Sequence, residues 1–132
     1  MDQETVMRAS FIEKQLGEID QHIELLDSQI IDLSALRENL TIFSESKEKE
    51  ILSSFGRGIF LKAQLQEKIM FVEVGSGIVV KKTPEQTLEV VENQLGKLEE
   101  ARLQIGAQRE MYYSELYSII QKVEETKNKD KK

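Results

Sequence analysis

Cysteine and tryptophan are absent from this chain, and proline and histidine occur once each. Without cysteine there is no disulfide, no thiolate nucleophile and no cysteine-ligated zinc, a composition that fits a reducing compartment. The lone histidine, His22, leaves no His pair for a metal and no Ser or Cys triad, and is read as a helix-surface residue. No stretch approaches the roughly 18 to 20 consecutive apolar residues of a membrane span. The opening MDQETVMRAS lacks the basic start and apolar run of a secretory signal, so the expected location is cytoplasmic.

The scarcity of proline, together with a charged fraction of 32%, points to long helices with much exposed surface rather than to a compact enzyme core. A net charge of −6 argues against nucleic-acid binding, which draws on clustered lysine and arginine. Residues 1–42, 43–83, 84–126 and 127–132 carry −6, +2, −5 and +3. Acidic flanks therefore enclose a slightly basic middle, and the final KNKDKK is expected to be a basic, disordered tail over 127–132.

Two heptad seams dominate the flanks. Ile12, Leu16, Ile19, Ile23, Leu26, Ile30, Leu33, Arg37 and Leu40 alternate steps of four and three, the spacing of a coiled coil. The pattern Ser10-x-x-Glu13 offers a capping box, although the periodicity permits a start anywhere in the first ten residues. The second seam runs Leu88, Val91, Leu95, Leu98, Arg102, Ile105, Arg109, Tyr112, Leu116, Ile119 and Val123. Its start is marked by Thr83-Pro84-Glu85-Gln86, with threonine as N-cap, proline at the first helical position and glutamine three residues after the cap. At 1.5 Å per residue the helices would be roughly 50 and 60 Å long. Neither packs inside a domain this small, so each needs the other as partner, folded back antiparallel. Arg102 and Arg109 in the seam are read as setting register, and Gly17, Gly96 and Gly106 as sites of close packing or bending.

Between the seams lie short runs rich in β-branched and aromatic residues, about Ile51–Phe55, Gly58–Leu65, Ile69–Val74 and Gly77–Lys82, which predict two consecutive hairpins. FGRGIFLKA recurs nineteen residues later as VGSGIVVKK. A phosphate-binding loop needs its glycines between a strand and a helix N-terminus; both copies here lead into strand-like IFLK or IVVK, so the glycines shape turns. A lone pair of hairpins leaves open edges and uncovered faces and should pair with other subunits. The abundant carboxylates sit on solvated helix faces, and no active site or cofactor site emerges. Near the free ends of the helices, Val6, Met7 and Phe11 and, on the other helix, Tyr113, Tyr117 and Ile120 lie off the main seam. They are expected close together, either as an end-core or as an adaptable apolar surface that grips unfolded chains.

The order helix, doubled hairpin with repeated G-x-G, helix resembles the α-class subunit of prefoldin, in its archaeal form. The most specific part is GRGIFLKAQLQEKIMFVEVGSGIVVKKTPEQTLEVVENQ, from Gly56 to Gln94, and two hairpins rather than one select the α class. The resemblance implies an α+β fold, a single domain of a long antiparallel two-helix coiled coil (about 1–43 and 84–126) with two β-hairpins (50–82) as its oligomerisation base. It implies a non-enzymatic, ATP-independent holdase that captures non-native polypeptides at the coiled-coil tips and passes them to a group II chaperonin. Its partners would be β-class subunits, two α with four β. The tip residues would then be Val6, Met7, Phe11, Tyr113, Leu116, Tyr117 and Ile120, and the hairpin interface Ile59, Leu61, Phe71, Val72, Val74, Ile78, Val79 and Val80. The competing expectation is a structural or tethering coiled-coil oligomer that binds one folded partner.

Overall fold

A computed structural model describes residues 2–130. The elements run α1 (Gln3–Glu45), β1 (Glu50–Gly56), β2 (Ile59–Gln64), β3 (Met70–Gly75), β4 (Ile78–Lys82) and α2 (Pro84–Asp130). They fall into two compact units, one of Met1–Ile31 with Gly96–Lys132, the other of Asp32–Leu95.

In the first unit the N-terminal stretch of α1 lies antiparallel to the C-terminal stretch of α2. Three ion pairs fix the direction, because partners move down α2 as they move up α1: Arg8–Glu115 at 2.7 Å, Asp20–Arg109 at 2.7 Å and Asp27–Arg102 at 2.9 Å. The apolar seam runs alongside. Ile12, Leu16, Ile19 and Leu26 are buried, while Ile105, Tyr112, Leu116, Ile119 and Val123 of α2 are half-buried. The seam arginines are therefore bound across the helix pair, as register-setting residues should be.

Helix α1 begins earlier than its Ser10-x-x-Glu13 signal. The Thr5 N–H donates to the Asp2 carboxylate at 2.8 Å, so aspartate, as good an N-cap as serine, starts the helix without the glutamate that a capping-box template seeks. Helix α2 begins where its signal lies. The Gln86 N–H donates to Thr83 Oγ1 and the Thr83 N–H to Gln86 Oε1, each at 3.1 Å, a reciprocal capping box with Pro84 at the first position. At its other end α2 continues through Lys127 and Lys129 to Asp130. The tail expected from residue 127 is helical that far because nothing in it breaks a helix and its lysines suit the negative C-terminal dipole; residues 131–132 lie outside the described residues.

The second unit holds the inner stretches of both helices, with Leu40, Val91 and Leu95 buried, and the two hairpins. Each hairpin is a separate two-stranded antiparallel sheet, β1 with β2 and β3 with β4. Their turns are copies. Arg57 and Gly58 have φ of 47° and 78°, Ser76 and Gly77 of 51° and 74°, and two consecutive left-handed residues are the signature of the type I′ turn that matches strand twist. Each hairpin carries one extra residue just before its turn, between Ser54 and Gly56 and between Glu73 and Gly75. The nineteen-residue repeat is thus a repeat of backbone geometry, bulge included, and neither G-x-G faces a helix N-terminus.

Helix α1 has no basic residue in its last turn. The connection between hairpins supplies one: Lys68 Nζ donates to the Phe43 carbonyl at 2.8 Å and to the Ser46 carbonyl, and lies 5.3 Å from the Phe43 ring centroid. Lys68 thereby satisfies carbonyls that the helix end leaves open.

Two stability outcomes follow from this geometry. Lys68→Met should lower unfolding free energy by about 1 kcal/mol through the lost carbonyl contacts at the α1 terminus, read by denaturant titration of helical circular dichroism. Gly17 and Gly96 meet nothing where a Cβ would stand, which corrects the expectation of close packing there; Gly17→Ala should raise stability by up to about 1 kcal/mol.

Candidate functional site

Both chain ends lie in the first unit, and the features there are built by local sequence. Arg8 forms a forked pair with Glu115, Nε to Oε1 at 2.7 Å and Nη2 to Oε2 at 2.9 Å, while its guanidinium stands 5.2 Å from the Phe11 ring centroid. Beyond this pair, toward the termini, a cleft of about 640 Å³ opens between the helices, lined among others by Thr5, Ile119, Lys122 and Val123. Arg109 repeats the motif farther in: it binds Asp20 and stacks on Tyr113, 4.8 Å from guanidinium to ring centroid.

The forked pair shifts both partners. The Glu115 carboxyl is held below its ordinary value by hydrogen bonding to Arg8, and the Arg8 guanidinium is raised by the same bond. The Asp2 carboxyl is likewise lowered, chiefly by the Thr5 hydrogen bonds.

Of the seven residues expected at this end, Leu116 is half-buried in the seam. Val6, Met7, Phe11, Tyr113, Tyr117 and Ile120 are exposed, Met7 and Tyr117 most at 67% and 62%. They do not share one face. At about 100° per residue, Tyr113, Tyr117 and Ile120 form an i, i+4, i+7 stripe on one flank of α2, the flank that carries Arg109. Met7 and Phe11 are i, i+4 neighbours on α1, and Val6 stands about 140° around the helix from Phe11. Gln121 Nε2 donates to the Tyr117 hydroxyl at 3.0 Å, which steadies one ring of the stripe.

In the second unit the expected interface residues Ile59, Leu61, Phe71, Val74, Ile78, Val79 and Val80 are exposed, with Val72 half-buried. Strand β1, which received no interface residue from the sequence pattern, is exposed along its whole length, with Leu52 and Phe55 bare. The serines in ILSSF hide its apolar character from a count, and the run apolar, apolar, polar, polar, apolar has no period-2 alternation that could have found it. Among the described residues no cluster of His, Cys, Asp or Glu is arranged to hold a metal, and no helix is long and apolar enough to cross a membrane.

Residues 12–129 match the protein family described as Prefoldin subunit. The chain belongs to the prefoldin family. It is 24% identical over 129 residues to prefoldin subunit alpha of Thermoplasma acidophilum, spanning 97% of this chain and 98% of that one. It is 27% identical over 124 residues to the same subunit of Hyperthermus butylicus, spanning 90% and 80%. These relatives make it a prefoldin subunit of the archaeal α type. The fold agrees with a cryo-EM structure of filamentous PFD from Methanocaldococcus jannaschii, at a TM-score of 0.71 and 20% identity over 86% of this chain and 96% of that one. Membership of this family supports a chaperone-subunit role for the chain.

Acid should dissolve the Arg8–Glu115 fork in this prefoldin subunit. A lowered carboxyl contributes stability that is whole above its ordinary pKa of 4.5 and is lost as pH falls through the folded value. The melting temperature of Glu115→Gln should lie below wild type near neutrality, and the gap should close once pH falls well below 4.5; a gap unchanged at pH 2 to 3 would refute the assignment.

Proposed function

We propose that this prefoldin subunit is part of an ATP-independent cytoplasmic holdase that captures non-native polypeptides at its coiled-coil tips and delivers them to a group II chaperonin. The observation that carries the proposal is the set of six exposed apolar side chains, Val6, Met7, Phe11, Tyr113, Tyr117 and Ile120, in the unit that holds both chain ends. Small apolar patches separated by charge are suited to weak contacts with many sequences. They do not offer the single large core that recognition of one folded partner requires. Several such arms in one assembly would gain avidity from repeated weak contacts.

The assembly itself follows from the hairpins. Two isolated two-stranded sheets, exposed on both faces, are marginal alone, and β-class prefoldin subunits, four with two copies of this chain, are the proposed source of the strands that complete them.

Clients denatured in guanidinium and diluted into the assembled complex should scatter little light. Serine at Tyr113, Tyr117 and Ile120 should cost the complex several-fold in protection, and serine at all six positions should abolish most of it, while the native mass of the complex stays unchanged. Full protection by the assembled six-fold variant would overturn the placement of the client site, and no protection of any client by wild type would overturn the holdase function.

A further inference from the structure

Sulfur in this chain is held by methionine alone. With no cysteine there is no thiol to take up an oxidant first, and of the four methionines Met1 lies outside the described residues. Met70 on β3 is half-buried, whereas Met7 and Met111 are 67% and 73% exposed. An exposed thioether reacts with hydrogen peroxide by a two-electron oxygen transfer. The sulfur lone pair attacks one peroxide oxygen, the S–O bond forms as the O–O bond breaks, and the departing hydroxide takes the proton of the transferred oxygen. The thioether is oxidised to the sulfoxide and the peroxide is reduced to water.

The two exposed sulfurs have different surroundings. Met7 is one of the six apolar side chains proposed above to hold clients and is an i, i+4 neighbour of Phe11 on α1. The charge beside it is already engaged, because Arg8 is forked onto Glu115 and stands 5.2 Å from the Phe11 ring centroid. What Met7 offers a client is therefore apolar contact from a flexible, polarizable side chain. Its sulfoxide is polar: solvent accommodates it without cost to the fold, but an apolar client segment that covers it must strip its water. Met111 stands between about 120° and 180° around α2 from Tyr113, Tyr117 and Ile120, so the same chemistry there leaves that stripe unaltered. Because methionine sulfoxide reductases return the sulfoxide to the thioether, a polarity change at an exposed contact can be undone.

We propose that Met7 is a reversible oxidation site through which peroxides weaken client capture by this subunit, a control that rests on the holdase reading.

The test has a chemical arm and a functional arm. In the assembled complex treated with hydrogen peroxide, peptide masses should show sulfoxide forming several-fold faster at Met7 than at Met70. For the functional arm the full-length chain is treated, freed of peroxide and assembled with untreated β-class subunits, and each variant is compared with its own untreated complex. Protection of denatured clients by wild type should fall about twofold at unchanged native mass, and methionine sulfoxide reductase should restore it. Met7→Leu, a change that nearly conserves volume, should lose nothing on treatment, and Met111→Leu should lose as much as wild type. Oxidation at Met7 no faster than at Met70, a loss in Met7→Leu equal to that of wild type, full protection by treated Met111→Leu, or failure of the reductase to restore wild type would each overturn the site. Wild type that protects equally before and after treatment would refute the control and leave the holdase intact, whereas untreated wild type that protects no client would overturn both.

Discussion

Apolar packing along a heptad seam is strong but nearly indifferent to a slip of one heptad, since the same residue types recur every seven positions. What removes that freedom in the first unit is the ladder of ion pairs Arg8–Glu115, Asp20–Arg109 and Asp27–Arg102. Each pair is substantially exposed, so its stabilising contribution is small, yet a slip would strand an arginine opposite an unmatched level of the other helix. Specificity and stability thus come from different residues: Ile12, Leu16, Ile19 and Leu26 hold the helices together, and the arginines decide which levels meet. Everything proposed for the chain ends depends on that choice, because it brings the start of α1 beside Glu115 and the apolar stripe that follows it.

The hairpins obey an opposite logic. Their turns are fully specified within the chain, down to matching φ values at Arg57–Gly58 and Ser76–Gly77 and a bulge at the same place in each copy. Their faces and edges are left unsatisfied. Two-stranded sheets with Phe55 and Phe60 exposed in one and Phe71 in the other are marginal alone, which is why the proposed assembly draws on strands of other subunits. Lys68, which joins the connection between hairpins to the last carbonyls of α1, positions that half-finished part on a helix end that lacks its own basic cap.

Periodicity exposed most of this architecture to a reader of the sequence. The α2 capping box, both seams and the doubled hairpin stand on short-range rules with little competition, and the seam positions of Arg102 and Arg109 marked them as register-setting while their carboxylate partners, far off in sequence, came from the structure. The features that escaped are those where a residue acts outside its local pattern. Asp2 caps α1 without a capping box; Lys68 caps it from a different element; the continuation of α2 to Asp130 contradicts composition, because a lysine-rich stretch with no proline or glycine is as good a helix end as a solvated tail. At the chain ends the six off-seam residues were legible as a group, but the sequence left open an end-core or an exposed surface, and their exposure and arrangement on the two helices came only with the structure. The bare apolar side chains of β1 were hidden for a related reason: two serines dilute the apolar character of the strand while Leu52 and Phe55 stand exposed.

A protein that displays this much apolar surface must also avoid binding itself indiscriminately. The distribution of charge answers that need differently in the two units. Around the helix ends each exposed apolar group has a charged neighbour in sequence or space: Arg8 follows Met7 and stacks on Phe11, Arg109 stacks on Tyr113, and Lys122 lies two positions beyond Ile120. Under the proposed holdase function, fragmented patches of this kind suit a flexible, unfolded segment that can adjust between them, whereas a second rigid, acidic helix pair meets net repulsion. In the hairpins every strand carries charge, Glu50 on β1, Lys62 on β2, Glu73 on β3 and Lys81 with Lys82 on β4. Charge there cannot prevent association, because association completes the fold; it can only decide which edge meets which. The same residues that would be ordinary solubilising side chains on a finished sheet therefore become, on an unfinished one, the instructions for its completion.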